Sequence, residues 1–219
     1  MKTNYQVRYA AHPEDAKHYD TKRIRRDFLI ESVFTADEVN MVYSMYDRMI
    51  VGGAMPVTEQ LTLEAIDPLK STYFTTRREI GIFNVGGEGY VKVGDETFEL
   101  GYKEALYIGR GERNVIFCSK DGKAPAKFYF NSCTAHTAYP CKKVTKADAI
   151  TTSMGEQATS NERNINKMIV SQVLPTCQLQ MGMTELSIGS VWNTMPCHTH
   201  ERRMEIYTYF VIPENQVVF

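Results

Sequence analysis

His198-Thr199-His200-Glu201-Arg202-Arg203-Met204-Glu205 sets two imidazoles two residues apart and a carboxylate five residues further on. In an extended strand alternate side chains share a face, so His198 and His200 point the same way and Thr199 the other. The polar run Glu201-Arg202-Arg203 reads as a turn, after which the strand-like residues Ile206-Tyr207-Thr208-Tyr209-Phe210 bring Glu205 back onto that face. Two neutral imidazoles and one carboxylate suit Zn, Fe, Mn or Ni. Three protein ligands leave positions open for water or substrate, which separates a catalytic metal from a structural one. Cys197, between Pro196 and His198, faces away from that side of the strand and is expected to serve the core.

The elements that must carry this motif read as strands. Residues 80–85 form an apolar run ended by Gly86-Gly87, and Gly89-Tyr90-Val91-Lys92-Val93 alternates into a hairpin turn at Gly94-Asp95 before Thr97-Phe98-Glu99-Leu100. Strands are also expected at 105–108, 114–117 and 126–130, each bounded by turn residues, then at 168–170 and 178–186. Helical signal is confined to Pro13-Glu14-Asp15-Ala16-Lys17 and Thr145-Lys146-Ala147-Asp148. Short strands between glycine turns predict an all-β sandwich or barrel. The polar stretch 142–164 is the expected linker between two units.

Composition narrows the function. The 219 residues are 43% hydrophobic and 23% charged, as in ordinary globular domains, and the formal net charge is −1. That charge offers no footprint for nucleic acid or an anionic membrane. No apolar run reaches the length of a membrane span. Five cysteines without a Cys-x-x-Cys pair read as free thiols of a reducing compartment.

The spacing His-x-His-x4-Glu with Gly189 upstream is similar to the first metal motif of cupins. The stretch from Gly89 to Gly111 resembles the later half of a cupin barrel, but Glu112-Arg113-Asn114 stands where a metal-binding cupin would offer a histidine. Further stretches carry a narrower resemblance. Asp47-Arg48-Met49-Ile50-Val51-Gly52-Gly53, Arg77-Arg78-Glu79-Ile80-Gly81, Ala135-His136-Thr137-Ala138-Tyr139-Pro140 and the run from Trp192 to Glu205 resemble the 5-keto-4-deoxyuronate isomerase family. The resemblance spans nearly the whole chain.

That resemblance implies a bicupin: residues 1–145 as a barrel without metal, residues 146–219 as a metal-binding barrel. It implies one Zn2+ per subunit on His198, His200 and Glu205, with a fourth ligand histidine beyond Phe219 and the second barrel therefore incomplete in this chain. It further implies a cytoplasmic homohexamer of pectin and uronate degradation, with a small-molecule uronate substrate and neither nucleic acid nor membrane as partner. The reaction implied interconverts 5-dehydro-4-deoxy-D-glucuronate and 3-deoxy-D-glycero-2,5-hexodiulosonate. Catalytic candidates are Glu201, which could equally be a solvated turn residue, and Tyr207, which with Tyr209 shares the face of Glu205. Arg202, Arg203, Arg163 and Lys167 are candidates for the substrate carboxylate, and His136 and Tyr139 for packing between barrels. Two His and one carboxylate also suit a non-haem iron oxygenase, and a sugar-binding cupin without catalysis stays open.

Overall fold

The computed structural model describes residues 2–193 and 196–218. Met1, Thr194, Met195 and Phe219 lie outside them, so two residues of the Trp192-to-Glu205 motif and the last residue of the chain are not described. The fold is mostly β. Strands β1 (Lys2–Arg8), β2 (Glu38–Ser44) and β3 (Ile50–Ala54) precede β4 (Leu61–Thr62), β5 (Arg78–Asn84), β6 (Gly89–Val93) and β7 (Glu96–Leu100). β8 (Ala105–Ile108), β9 (Val115–Ser119), β10 (Phe128–Thr134) and β11 (Lys142–Val144) follow, then β12 (Ile150–Met154), β13 (Arg163–Ile169) and β14 (Met181–Leu186). Helices α1 (Pro13–Ala16) and α2 (Thr21–Phe28) lie near the amino terminus.

The strand order identifies the first unit. One sheet runs β1-β2-β3-β10-β5-β8-β11 and a second β4-β9-β6-β7. Without the outer strands β1, β2 and β11, β3 to β10 make two four-stranded sheets with interleaved order, the double Greek key of a jelly roll, the architecture of cupins. Alternation produces this arrangement. Ile80 and Ile82 of β5 point between the two sheets, where Val91, Phe117, Phe128 and Phe130 fill a fully buried core. The two-residue loop Gly94-Asp95 joins β6 to β7, with Val93 opposite Glu96 and Gly94 at φ 59°, a conformation glycine adopts without steric cost.

Residues of the large sheet that face the other way are also buried. Phe83, Tyr107 and Tyr129 meet Met168, Ile169 and Met181 of the second unit, the antiparallel sheet β12-β13-β14. Gly81 is required there by close approach: a Cβ on it would lie 2.4 Å from Met181 Sδ and 2.9 Å from Ile169 Cδ1. The deepest tie between the units is Glu79, fully buried on the same face as Gly81. Its carboxylate accepts hydrogen bonds from Tyr107 Oη at 2.7 Å, from the backbone N–H groups of Cys177, Gln178 and Leu179 at 2.8, 2.7 and 2.7 Å, and from Cys133 Sγ at 3.3 Å. Burial, with Glu79 beside it, pushes the Tyr107 hydroxyl well above its ordinary range, and burial does the same to the Cys133 thiol.

Three expectations are corrected. Residues 142–164 are no plain linker: β11 extends the large sheet beside β8, and β12 pairs with β13 along five residues. The side chains of Thr151 and Ser153 reach Asn166 and Asn164 across that pair, so polar composition here serves an exposed ladder. The expected strand at 206–210 forms no ladder, because among the described residues no neighbouring strand pairs with it. Cys197 is exposed and does not enter the core. Two helical readings fall close to observed elements, α1 and the 3-10 turn Lys146–Asp148, the latter closed by a capping box between Thr145 and Asp148.

An outer clasp joins the units as well. Glu185 on β14 accepts from Lys103 at 2.8 Å, from Lys146 at 2.5 Å and from Asn166 Nδ2 at 3.0 Å. The hydrogen bonds from the two lysines, against modest desolvation, hold its carboxyl down at about 2 rather than 4.5. The folded value lies below the unfolded one, so this stabilisation is complete above about pH 5 and is lost as pH falls through 4.5 toward 2. Glu185→Gln should therefore lower the urea midpoint at pH 7 and flatten its fall between pH 5 and pH 3; an unchanged acid limb would count against the clasp.

Truncating Glu79 leaves three backbone N–H groups and a phenol without their acceptor. Glu79→Ala should cost about 3–5 kcal/mol of unfolding free energy, read from urea titration, because buried donors are stranded. A loss under about 1 kcal/mol would show that the junction does not depend on it.

Candidate metal centre

The motif lies on an extended segment held against the large sheet from one side only. Ile206 and Phe210 pack onto the second core cluster, and half-buried Thr208 between them faces the same way, beside Tyr129. On the opposite side of the same stretch stand Glu205, Tyr207 and Tyr209. Period-two alternation is thus kept without a hydrogen-bonded partner strand. The face that the two tyrosines share with Glu205 is open: Tyr207 is 51% and Tyr209 52% exposed, their rings stacked at 6.4 Å.

At the other end the segment is tethered to the β2–β3 turn. Met204 N donates to Asp47 Oδ2 at 3.4 Å. Asp47 and Arg48 sit at φ 50° and 51°, and Met49 N bonds Tyr46 O at 3.1 Å, which makes this a type I′ turn. Arg78 holds the turn from beneath, donating to Arg48 O at 2.6 Å and to Ser132 O at 2.7 Å. Burial of Arg78 lowers its pKa to about 10.

His198, His200 and Glu205 are brought together. His198 Nε2 lies 3.2 Å from His200 Nε2, which lies 3.3 Å from Glu205 Oε1. His198 Nδ1 is 2.8 Å from Pro196 O, so this nitrogen must be the donor and a neutral His198 presents a lone pair at Nε2. His200 Nε2 faces Arg203 Nη2 at 3.1 Å; arginine only donates, so His200 Nε2 also presents a lone pair. With His198 neutral, the two imidazoles thus turn lone pairs toward each other, and His200 Nε2 also faces Glu205 Oε1.

A divalent cation among them would resolve that arrangement. Tetrahedral zinc with bonds of about 2.0–2.1 Å sets its ligands about 3.3–3.4 Å apart, close to both measured separations. The contact of His198 Nδ1 with Pro196 O is of the kind that would orient an imidazole ligating a metal. The donor types and these two pairwise separations suit zinc. As they lie here, however, no group of three or more His, Cys, Asp or Glu side chains among the described residues is placed to hold a metal ion, His198, His200 and Glu205 included. The guanidinium of Arg203 lies among these donors instead, with Nε 2.9 Å and Nη2 2.6 Å from Glu205 Oε1. Burial opposes ionisation of Glu205, but the hydrogen bonds from Arg203 and Tyr207 outweigh it and hold its carboxyl below the ordinary range.

Of the other candidates, Tyr207 Oη donates to Glu205 Oε2 at 2.9 Å, while Glu201 and Arg202 are exposed in the turn. Arg163 is buried in β13 and donates to Asn161 O; Lys167 is exposed. His136 is exposed and Tyr139 half-buried against the second core cluster. Sequence reasoning missed Asp47 as a tether, although the motif that contains it was visible, because its partner is 157 residues away.

With the fold and these donors in view, relatedness decides the family. The KduI/IolB family matches residues 28–217. The chain belongs to the KduI/IolB family. It is 72% identical over 218 residues to proteins of Bacteroides fragilis and Bacteroides thetaiotaomicron named 4-deoxy-L-threo-5-hexosulose-uronate ketol-isomerase, the latter with the suffix 1. A protein of that name from Formosa agariphila is 54% identical over 218 residues. In each case the match takes in the whole chain and 78% of the relative. Among solved structures, an IolB-like protein from Salmonella typhimurium aligns over 60% of this chain and 45% of its own, at 16% identity and a TM-score of 0.42. Kinship of this degree places the chain among isomerases. No helix of the described residues is long and apolar enough to cross a membrane.

Thiol exposure checks the placement of the motif. Cys197 is exposed, whereas Cys118 and Cys133 are buried. A maleimide pulse followed by peptide mass mapping should modify Cys197 first, with Cys118 and Cys133 reacting only in denaturant. Early labelling of Cys133 would contradict the buried junction.

Proposed function

We propose that this chain is a zinc-dependent ketol-isomerase, an intramolecular oxidoreductase that interconverts 5-dehydro-4-deoxy-D-glucuronate and 3-deoxy-D-glycero-2,5-hexodiulosonate. It carries one Zn2+ per subunit, on His198, His200 and Glu205, and acts on uronates from pectin as a cytoplasmic homohexamer. The observation that carries the reading is the convergence of three lone-pair donors at 3.2 and 3.3 Å in a chain so close to named ketol-isomerases.

The reaction removes a proton from the carbon that bears the hydroxyl and delivers one to the former aldehyde carbon, with negative charge on the oxygens between. Zinc bound there would polarise the carbonyl and hold the neighbouring oxygen. The chain supplies the rest. His198 is fixed by Pro196 O, which aims Nε2 into the site. Tyr207, bonded to Glu205 Oε2, is placed to move a proton between the two substrate oxygens. Tyr209, stacked on Tyr207, gives that phenol a flat apolar wall. Glu201 is the carboxylate in the turn that can serve as base at carbon.

His200→Ala tests the assignment. Bound zinc, measured by atomic emission after dialysis, should fall well below one per chain, and turnover of 5-dehydro-4-deoxy-D-glucuronate should drop at least about a hundredfold. Melting in the presence of a chelator should stay within about 3 °C of wild type, since the ring lies outside both cores. Full turnover in a zinc-free variant would remove the metal from the mechanism, and collapse of the melt would make the motif structural.

A further inference from the structure

The acceptors of the metal centre are engaged by a side chain of the same loop. Arg203 Nε and Nη2 both end on Glu205 Oε1, and the same Nη2 lies 3.1 Å from His200 Nε2. These are lone pairs that a metal ion needs, and a guanidinium cannot share them with a dication at this range, because the two charges repel and the positions coincide. Any cation that takes His200 Nε2 and Glu205 Oε1 must therefore release Arg203. The released group stays beside the site, on the turn between the two ligands. Its planar fork is matched to a carboxylate, and the proposed substrate carries one.

Resting on the zinc-isomerase reading, we propose that Arg203 is the receptor for the substrate carboxylate, and that it works by exchange. With Glu205 and His200 given over to a bound zinc, the guanidinium would be free to take the uronate carboxylate in place of Glu205. The exchange conserves interactions: Arg203 gives up a carboxylate held through Nε and Nη2 and gains another. Zinc binding and carboxylate recognition are thereby coupled through one side chain. The other basic candidates lack this link: Arg163 is buried and bound to Asn161 O, while Arg202 and Lys167 are exposed and, among the described residues, hydrogen-bond none of the site's donors.

The test uses Arg203→Gln and Arg203→Lys with two separate readouts. Zinc affinity is measured by competition with a chromogenic chelator, and carboxylate recognition by kcat and KM on 5-dehydro-4-deoxy-D-glucuronate. Removing the competitor should tighten zinc binding in Arg203→Gln by about two- to fivefold, the scale of a partly exposed ion pair. Its KM should rise about ten- to a hundredfold with kcat within about threefold, since a bond made equally in ground and transition states is lost. Arg203→Lys, which keeps charge but not the fork, should fall between Gln and wild type in KM. Zinc affinity unchanged or weaker in Arg203→Gln would overturn the competition, and an unchanged KM would overturn the carboxylate role. If wild-type protein binds zinc but does not turn over the uronate, the isomerase reading fails by itself. The exchange is then read by calorimetry of D-glucuronate against D-glucose on the zinc form: glucuronate binding lost in Arg203→Gln upholds it, and binding retained overturns it.

Discussion

A carboxylate buried without a cationic partner at hydrogen-bond distance is an expensive object, and the molecule is arranged around one. Glu79 has no exposed surface, yet five donors converge on its two oxygens. Three of them are consecutive backbone N–H groups, Cys177 to Leu179, from the segment that leads into β14. A carboxylate so surrounded is solvated by protein donors in place of water. The same bonds fix where the second unit meets the first. Apolar burial supplies most of the energy of that junction, through Phe83, Tyr107, Met168 and Met181, but apolar contact is not directional. Glu79 supplies the register. Gly81, two residues along the same face, lets Met181 and Ile169 come close enough for it.

That register decides where the histidines go. Among the described residues the extended segment after His200 has no ladder, so its position is set by what its buried side touches. Ile206 and Phe210 rest on the surface completed by the junction, and Met204 is caught by Asp47. Asp47 is rigid because its turn carries two consecutive left-handed residues and because buried Arg78 grips the carbonyl of Arg48. Neighbouring residues of β5 thus serve opposite faces of one sheet. Arg78 braces the turn that tethers the motif, and Glu79 locks the unit against which the motif lies.

Much of the first unit was legible in the sequence because its signals are local. The residues 89–93 and 105–108 alternate or run apolar between glycines, and both spans match β6 and β8. The hairpin at Gly94-Asp95 has the same origin. What escaped depends on distant partners. β1 has no strong alternation and exists as a strand through its parallel pairing with β2, more than thirty residues away. α2 carries no buried residue, and its local signs, the N-cap Asp20, Ile24 and Phe28 four residues apart and the basic Arg25 and Arg26 of its last turn, are few in a short polar stretch. Glu79 looks like one more charge in Arg77-Arg78-Glu79, and its donors lie 98 to 100 residues on or across the sheet. In the metal motif the alternation was readable while the ladder was not. Side-chain period is a property of one chain, whereas a ladder is a property of two.

The same division explains the chemistry of the motif. Along residues 205–210 every second side chain is committed to packing, which leaves Glu205, Tyr207 and Tyr209 free of structural duty on the other side. Those three are linked to one another, by the hydrogen bond from Tyr207 to Glu205 and by the stacked tyrosine rings. A single extended segment therefore has an anchoring face and a reacting face, and neither needs to change for the other to vary. The cost is that lone pairs on the reacting face repel unless something positive lies among them. Arg203 meets that need through covalent nearness, and its guanidinium sits against Glu205 and His200 because no other charge in the loop is as well matched to both. The electrostatic demand of the ligand set, more than the packing of the fold, determines which side chain of the turn lies at the centre of the site.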